Sequence, residues 1–262
     1  MATIKDQHGL GAPRLSSVVA HDSLIPAVPT ATAALARAPA KAPVFTVLVT
    51  NQVDPYDKSL SASALAALRA QPFAPVSDNF AGTKRKAAKL SISNAPVETF
   101  GDLKALIKTF PNDSKMIKHK PNITDDAKSD RVDEEKRNIR VSAFLYAASR
   151  ETDNDFHLII GTDPKGTKLV CMTMEVSALP PKTAASFARV NKARDSFKKL
   201  VSNKLPGAGY NFYRPPIPVT IGGSLFFDIT HANGGHPGPQ DLRPHIPTIF
   251  EVHPITEIAF AP

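Results

Sequence analysis

The chain of 262 residues contains no tryptophan and a single cysteine, and both scarcities narrow what it can be. One cysteine excludes an intramolecular disulfide and any cysteine-rich zinc centre, which suits a reducing compartment. Cys171 lies between Val170 and Met172 and reads as a buried strand thiol that packs as a small hydrophobe. Apolar runs such as Val44–Val49 fall far short of the roughly 20 residues that a spanning helix needs, so no membrane span is expected. The polar opening, Met1–Leu10, lacks the basic-then-apolar texture of a secretory leader, and the expected location is cytoplasmic. Also missing are a phosphate loop, a dinucleotide glycine fingerprint, a nucleophile elbow and an internal repeat. The common nucleotide-binding and acyl-transfer enzymes are therefore without support.

What is present is enough apolar material for a sizeable core, 42% of residues, punctuated by 24 prolines. Proline removes backbone donors and stops helices, and it concentrates before Pro121 and around 206–254. Regular structure is expected between those clusters. The net charge of +8 and pI near 9.5 favour anionic partners such as nucleic acid, phosphorylated metabolites or an acidic protein.

Three regions follow. Residues 1–42, rich in alanine, proline, serine and threonine, read as a flexible arm. Residues 43–137 carry a strand at Val44–Thr50, short helices at Ser59–Arg69 and Phe100–Phe110, and a charged, proline-broken connector from Pro111 to Arg137. Within this region Lys84, Arg85, Lys86 and Lys89 form a basic cluster, read as a solvated loop in preference to a phosphate-contacting patch. Residues 138–262 form the third region, in which β-branched and aromatic residues recur between turn signals.

Five strands are expected there: Ile139–Ala148, Asp155–Gly161, Lys168–Val176, Ile217–Asp228 and Thr248–Phe260. Between the third and fourth, Lys182–Asn203 places Phe187, Val190, Phe197, Leu200 and Val201 on one helical face, and Pro206 and Gly207 follow it. The predicted fold class is mainly β: a five-stranded OB-like barrel with one amphipathic helix, behind an N-terminal region that is partly irregular. Three strands, a helix and two strands is the OB order, in which ligands bind against strands two and three and the loops flanking them. Other small barrels and an α+β sandwich give the same string.

Alternation along strands then selects the polar candidates. Asp155 and His157 share one face while Phe156, Leu158 and Ile160 take the other. Glu251 and His253 share a face while Phe250 and Val252 turn to the core. Asp228 and His231 follow the fourth strand, and His231, His236, His245 and His253 crowd the stretch from Asp228 to His253. In an OB barrel the loops after strands one and four flank the binding face, so both polar clusters are expected at one site. Asp155, His157, Asp228, His231, Glu251 and His253 are the candidate ligand-binding residues. Among them His157, Glu251 and His253 are the candidate ligands of a divalent ion, the one cofactor these residue types suggest. The plainer alternative has the acids capping turns and the histidines hydrogen-bonding neighbours.

The stretches Glu151–His157, Gly223–Asp228 and Glu251–Pro254 resemble a recurrent pattern in uncharacterised bacterial proteins, covering about the last 120 residues. The resemblance implies a shared OB-like barrel and carries no activity with it. The topology is also similar to thermonuclease barrels, without a matching set of catalytic arginines. Function is expected to be that of a binding module for an anionic ligand, such as single-stranded nucleic acid. The helix Lys182–Lys204 supports this with seven basic residues against Asp195, and Lys192, Lys198 and Lys199 are its candidate phosphate contacts. The alternatives are a metal-dependent hydrolase of a phosphoester, built on the histidine and carboxylate cluster, and a scaffold or adaptor.

Overall fold

A computed structural model describes residues 43–53, 77–202, 204–233 and 235–261, and the architecture they form is mainly β. The expected arm 1–42, the expected helix Ser59–Arg69 and positions Asn203 and Gly234 lie outside the described residues. Seven strands make one mixed sheet: β1 (Thr46–Val49), β2 (Val97–Phe100), β3 (Asn138–Arg150), β4 (Phe156–Gly161), β5 (Cys171–Val176), β6 (Asn211–Phe227) and β7 (Phe250–Phe260). Their order is β1-β6-β7-β5-β4-β3-β2, and a further β6–β3 pairing closes β3, β4, β5, β7 and β6 into a ring of five. Within the ring β5 and β7 run parallel, and the other neighbours are antiparallel.

The ring closes because alternate side chains have a common interior to fill. Phe156, Leu158 and Ile160 of β4, Met172, Met174 and Val176 of β5, Leu225 and Phe227 of β6, and Phe250 and Val252 of β7 all join one buried cluster. Each such side chain contributes about 1.5–3 kcal/mol on burial. The 15-residue helix α4 (Phe187–Val201) packs on β7 and β5 through Val190, Ala193, Phe197 and Val201, and the Phe197 ring lies 5.1 Å from that of Phe156. Three shorter helices precede the ring strands: α1 (Lys86–Leu90), α2 (Leu103–Ile107) and α3 (Asp113–Ile117).

Element bounds differ from expectation where a side chain or a proline captures the ladder. β6 begins at Asn211, six residues before the expected Ile217, and runs across Pro215, Pro216 and Pro218. Prolines cannot donate to a ladder. The β3 pairing accordingly slips between Leu145 and Ala147, so that Leu145 faces Ile217 and Ala147 faces Phe212. β5 begins at Cys171 instead of Lys168, because the Val170 amide donates to the Thr162 hydroxyl, 3.1 Å away, across the preceding turn. The register between β6 and β7 shifts at Gly222 and Gly223. A Cβ on Gly223 would stand 2.3 Å from the Pro254 carbonyl oxygen, so no other residue lets the strands approach there.

The N-terminal strands join this same sheet, β1 on β6 and β2 on β3, so the expected boundary at 137/138 runs through continuous hydrogen bonding. Two readings of this region need correction. The basic cluster is solvated only at Lys84 and Lys86: Arg85 is 1% exposed, and its guanidinium meets both carboxylate oxygens of buried Glu135 at 2.7 and 2.8 Å. Nor is Pro111–Arg137 a bare connector. Asp113 accepts from the Thr248 hydroxyl and the Ile249 amide, fastening α3 to the start of β7. Arg131, also buried, donates to the carbonyls of Ala88, Ser91, Leu225 and His253. A proton-rich guanidinium is the side chain that can satisfy four carbonyls at once. It holds the end of α1 against β6 and β7.

Candidate metal centre

The same alternation that fills the ring's interior with apolar groups puts polar ones on its outer face. His157 of β4 lies directly across from Glu175 of β5, and Thr173 of β5 pairs with Glu251 of β7. Cross-strand neighbours in register bring their Cβ atoms to about 4.5–5.5 Å. A row of His157, Glu175, Thr173 and Glu251 therefore crosses three adjacent strands, and His253 sits two residues beyond Glu251 on the same face.

Loops complete the row from both sides. The turn between β3 and β4 is closed by Asn154 at φ 75°, a conformation asparagine tolerates, and by a hydrogen bond from the Asn154 amide to the Glu151 carbonyl. It delivers Glu151, whose Oε1 is 2.8 Å from His157 Nδ1, and Asp155, whose Oδ1 accepts from the Ala178 amide at 2.6 Å. Asp155 Oδ2 is 3.3 Å from His253 Nε2. That ring nitrogen also meets Ser177 Oγ at 2.7 Å, while Nδ1 of the same ring is 3.2 Å from Glu251 Oε1. After β6, Asp228 caps its turn through the Thr230 amide and hydroxyl and turns Oδ2 to His231 Nε2 at 3.2 Å. From α1, Lys89 reaches Asp153 Oδ2 at 3.4 Å.

Six carboxylates, three imidazoles and one ammonium thus share one electrostatic neighbourhood beneath loops from distant parts of the chain. Burial pushes Glu175 well above the usual carboxylate range, and Glu151, Glu251 and Asp155 push it further. Burial likewise raises Asp155 to about 7 and Asp153 to about 6, and it raises Glu251. Burial acts the same way on Glu151 and Asp228, but hydrogen bonds and the charges of His157, His231 and Lys89 outweigh it and hold both at about 2. For His253 burial wins and lowers its pKa, whereas for Lys89 the surrounding Asp153, Asp155, Asp228 and Glu251 overcome burial and raise it well above the usual lysine value.

Two buried carboxylate oxygens in the cluster lack a hydrogen-bond donor among the described residues: Asp155 Oδ2, which still stands 3.3 Å from His253 Nε2, and Glu175 Oε2. Glu175 is 3% exposed, its Oε1 is 3.8 Å from His157 Nδ1, and its Oε2 accepts no hydrogen bond from any described residue. An ionised carboxylate stripped of water and of donors is strongly unfavourable. Glu175 must bind either a proton or a cation. Ligating atoms of Glu151, His157 and Glu175 lie within 4.8 Å of one another, and so do those of Asp155, Glu175 and His253. Oxygen and imidazole nitrogen in such sets suit zinc, manganese or a related divalent ion.

All six residues expected at the site, Asp155, His157, Asp228, His231, Glu251 and His253, border this cluster. The expected trio of ligands is not one set, however: His157 belongs to one group and His253 to the other, with Glu251 behind His253. His236 lies apart, 3.7 Å from Asp113, and His245 is exposed in the turn Arg243–His245. Glu175, Glu151, Asp153 and Lys89 were not among the expected ligands. Glu175 had a signal, being the one charged residue in the otherwise apolar or neutral strand Cys171–Val176. Of the three lysines on α4, Lys192 and Lys199 are exposed, while Lys198 donates to Asp78 at 2.7 Å and is engaged within the fold. No protein-family model, curated protein or solved structure matches the chain. No helix of the described residues is long and apolar enough to cross a membrane.

Proposed function

We propose that this protein holds a divalent cation on the outer face of its ring and uses it to hydrolyse a phosphoester. The observation that carries the reading is Glu175: a buried carboxylate with an oxygen that lacks a donor, aimed into a group of carboxylates and imidazoles. Glu151, His157 and Glu175 hold the ion, with Glu151, the least enclosed of them, marking the solvent side. A bound divalent ion acidifies water to supply a nucleophile near neutral pH and polarises a phosphoryl oxygen. The anion expected from the basic composition would meet mostly carboxylates in this cluster, and an ion of charge +2 is what reverses that repulsion.

The ring order supports reading the fold as an OB-like barrel. Counting the ring strands from one to five, their neighbours run 1-2-3-5-4-1, and α4 falls between three and four. In that architecture ligands lie against strands two and three, between the loops after strands one and four. Here those strands carry His157 and Glu175, and those loops carry Glu151, Asp155, Asp228 and His231. The three stretches that carry the resemblance to uncharacterised bacterial proteins lie along this cluster too.

A second reading, a binding module for single-stranded nucleic acid, is favoured by exposed Lys192 and Lys199 on α4. One experiment separates the two. Protein freed of metal by chelation and then supplied with manganese or zinc is incubated with bis(p-nitrophenyl) phosphate, beside the Glu175→Gln variant. Hydrolysis that needs the ion and is lost in the variant supports the hydrolase. An ion that binds without turnover, together with salt-sensitive binding of single-stranded DNA, supports the module.

A further inference from the structure

The two candidate ligand sets are not alternatives, because they share a single residue. Glu175 belongs to both the Glu151–His157–Glu175 group and the Asp155–Glu175–His253 group. A carboxylate has two oxygens, and here they differ in surroundings: Oε1 is 3.8 Å from the His157 ring, and Oε2 has no donor among the described residues. From these overlapping sets we infer that the centre takes two divalent cations, with Glu175 bridging them. This rests on the metal reading above and extends it from one ion to two.

Three further features agree. Each set brings one imidazole and one carboxylate of its own, Glu151 with His157 and Asp155 with His253, so neither ion would depend on the other's private ligands. The inner set is fully enclosed, with Asp155 and His253 at 0% exposure, whereas the outer set reaches solvent through Glu151. An enclosed ion beside a more open one leaves the outer position for substrate. The supply of ligands also favours two: besides the two sets, Glu251 Oε1 stands 3.2 Å from His253 Nδ1 and Asp153 Oδ2 3.4 Å from Lys89, more carboxylates than one ion would use. Paired divalent ions sharing a carboxylate are suited to phosphoryl transfer, since one stabilises the attacking oxygen and the other the departing one.

The test is a titration of the full, metal-free chain with manganese(II), read by calorimetric stoichiometry and by electron paramagnetic resonance. Two ions per chain with a spin-coupled signal are expected for the wild type. His157→Ala and His253→Ala should each retain one ion and lose the coupling, and Glu175→Gln should lose the coupling. Circular dichroism confirms that each variant is folded, and His157→Gln and His253→Gln replace any alanine variant that is not. One ion per chain, abolished by either histidine change, overturns the paired centre while leaving the metal reading intact. No bound ion in the wild type overturns both.

Discussion

Replacing Arg85 with methionine isolates how much of the fold depends on the buried ion pair that anchors α1. Arg85 and Glu135 are 1% and 0% exposed, and the guanidinium also donates to the carbonyls of Phe227 and Asp130. Glu135 in turn accepts from the amides of Val132 and Phe227. Removing the cation strands a buried carboxylate, a change that costs about 3–5 kcal/mol when one partner of a buried pair is lost. That is a large share of the roughly 5–15 kcal/mol by which a domain is stable. At about 2–4 °C per kcal/mol for a chain of this size, the melting temperature should fall by roughly 6–20 °C. Urea unfolding should show a lower midpoint with an unchanged slope. The double variant Arg85→Met, Glu135→Leu removes both charges and should recover much of the loss, because a buried pair is replaceable by apolar groups of similar volume. A loss under about 1 kcal/mol in the single variant, or a double variant no better than the single, would refute the reasoning built on an uncompensated buried charge.

Glu175→Gln should raise the melting temperature of the metal-free protein at neutral pH, since glutamine is neutral without taking up the proton that buried Glu175 needs, and should remove the stabilisation that divalent ions confer on the wild type; thermal denaturation with and without manganese measures both. The pH dependence has a definite sign. Asp153 at about 6, Asp155 at about 7, and raised Glu175 and Glu251 bind more protons folded than unfolded, so stability of the metal-free protein should fall as pH rises from about 4.5 through 7. His253, lowered by burial, works in the opposite direction below the usual histidine value but is one group against four. Melting curves across pH 4–8 in a chelator check this, and stability that rises through the window would contradict it. Phe197→Ala should cost about 3–5 kcal/mol in chemical unfolding, because the ring is fully buried against Phe156. Lys198→Gln should lower stability by breaking its bond to Asp78, whereas Lys192→Gln and Lys199→Gln should leave melting unchanged and, if α4 contacts phosphate, weaken single-stranded DNA binding at low salt.

The ring strands were legible because one side of each is packed and the pattern alternates. His157 between Phe156 and Leu158, and His253 after Val252, could be assigned a face before any contact was known. β5 hid its alternation. Its sequence, Cys171–Val176, is apolar apart from Thr173 and Glu175, so no polar face stood out and Glu175 was not singled out. Arg85, Lys89 and Arg131 were illegible for a different reason. A charge run reads as solvated unless its partners are known, and those partners, Glu135, Asp153 and the carbonyls of Leu225 and His253, come from separate parts of the chain. The three prolines of β6 obscured its first half, because a strand that sheds ladder bonds resembles a loop in sequence.

Crystals grown with manganese or zinc and measured by anomalous scattering test the central claim most directly. The account predicts anomalous density bounded by Glu175, His157 and Glu151, with the Glu175 carboxylate turned to the ion. Crystals that diffract well, were grown in excess metal, and show no anomalous peak near Glu175, with that side chain hydrogen-bonded as a neutral acid, would contradict it.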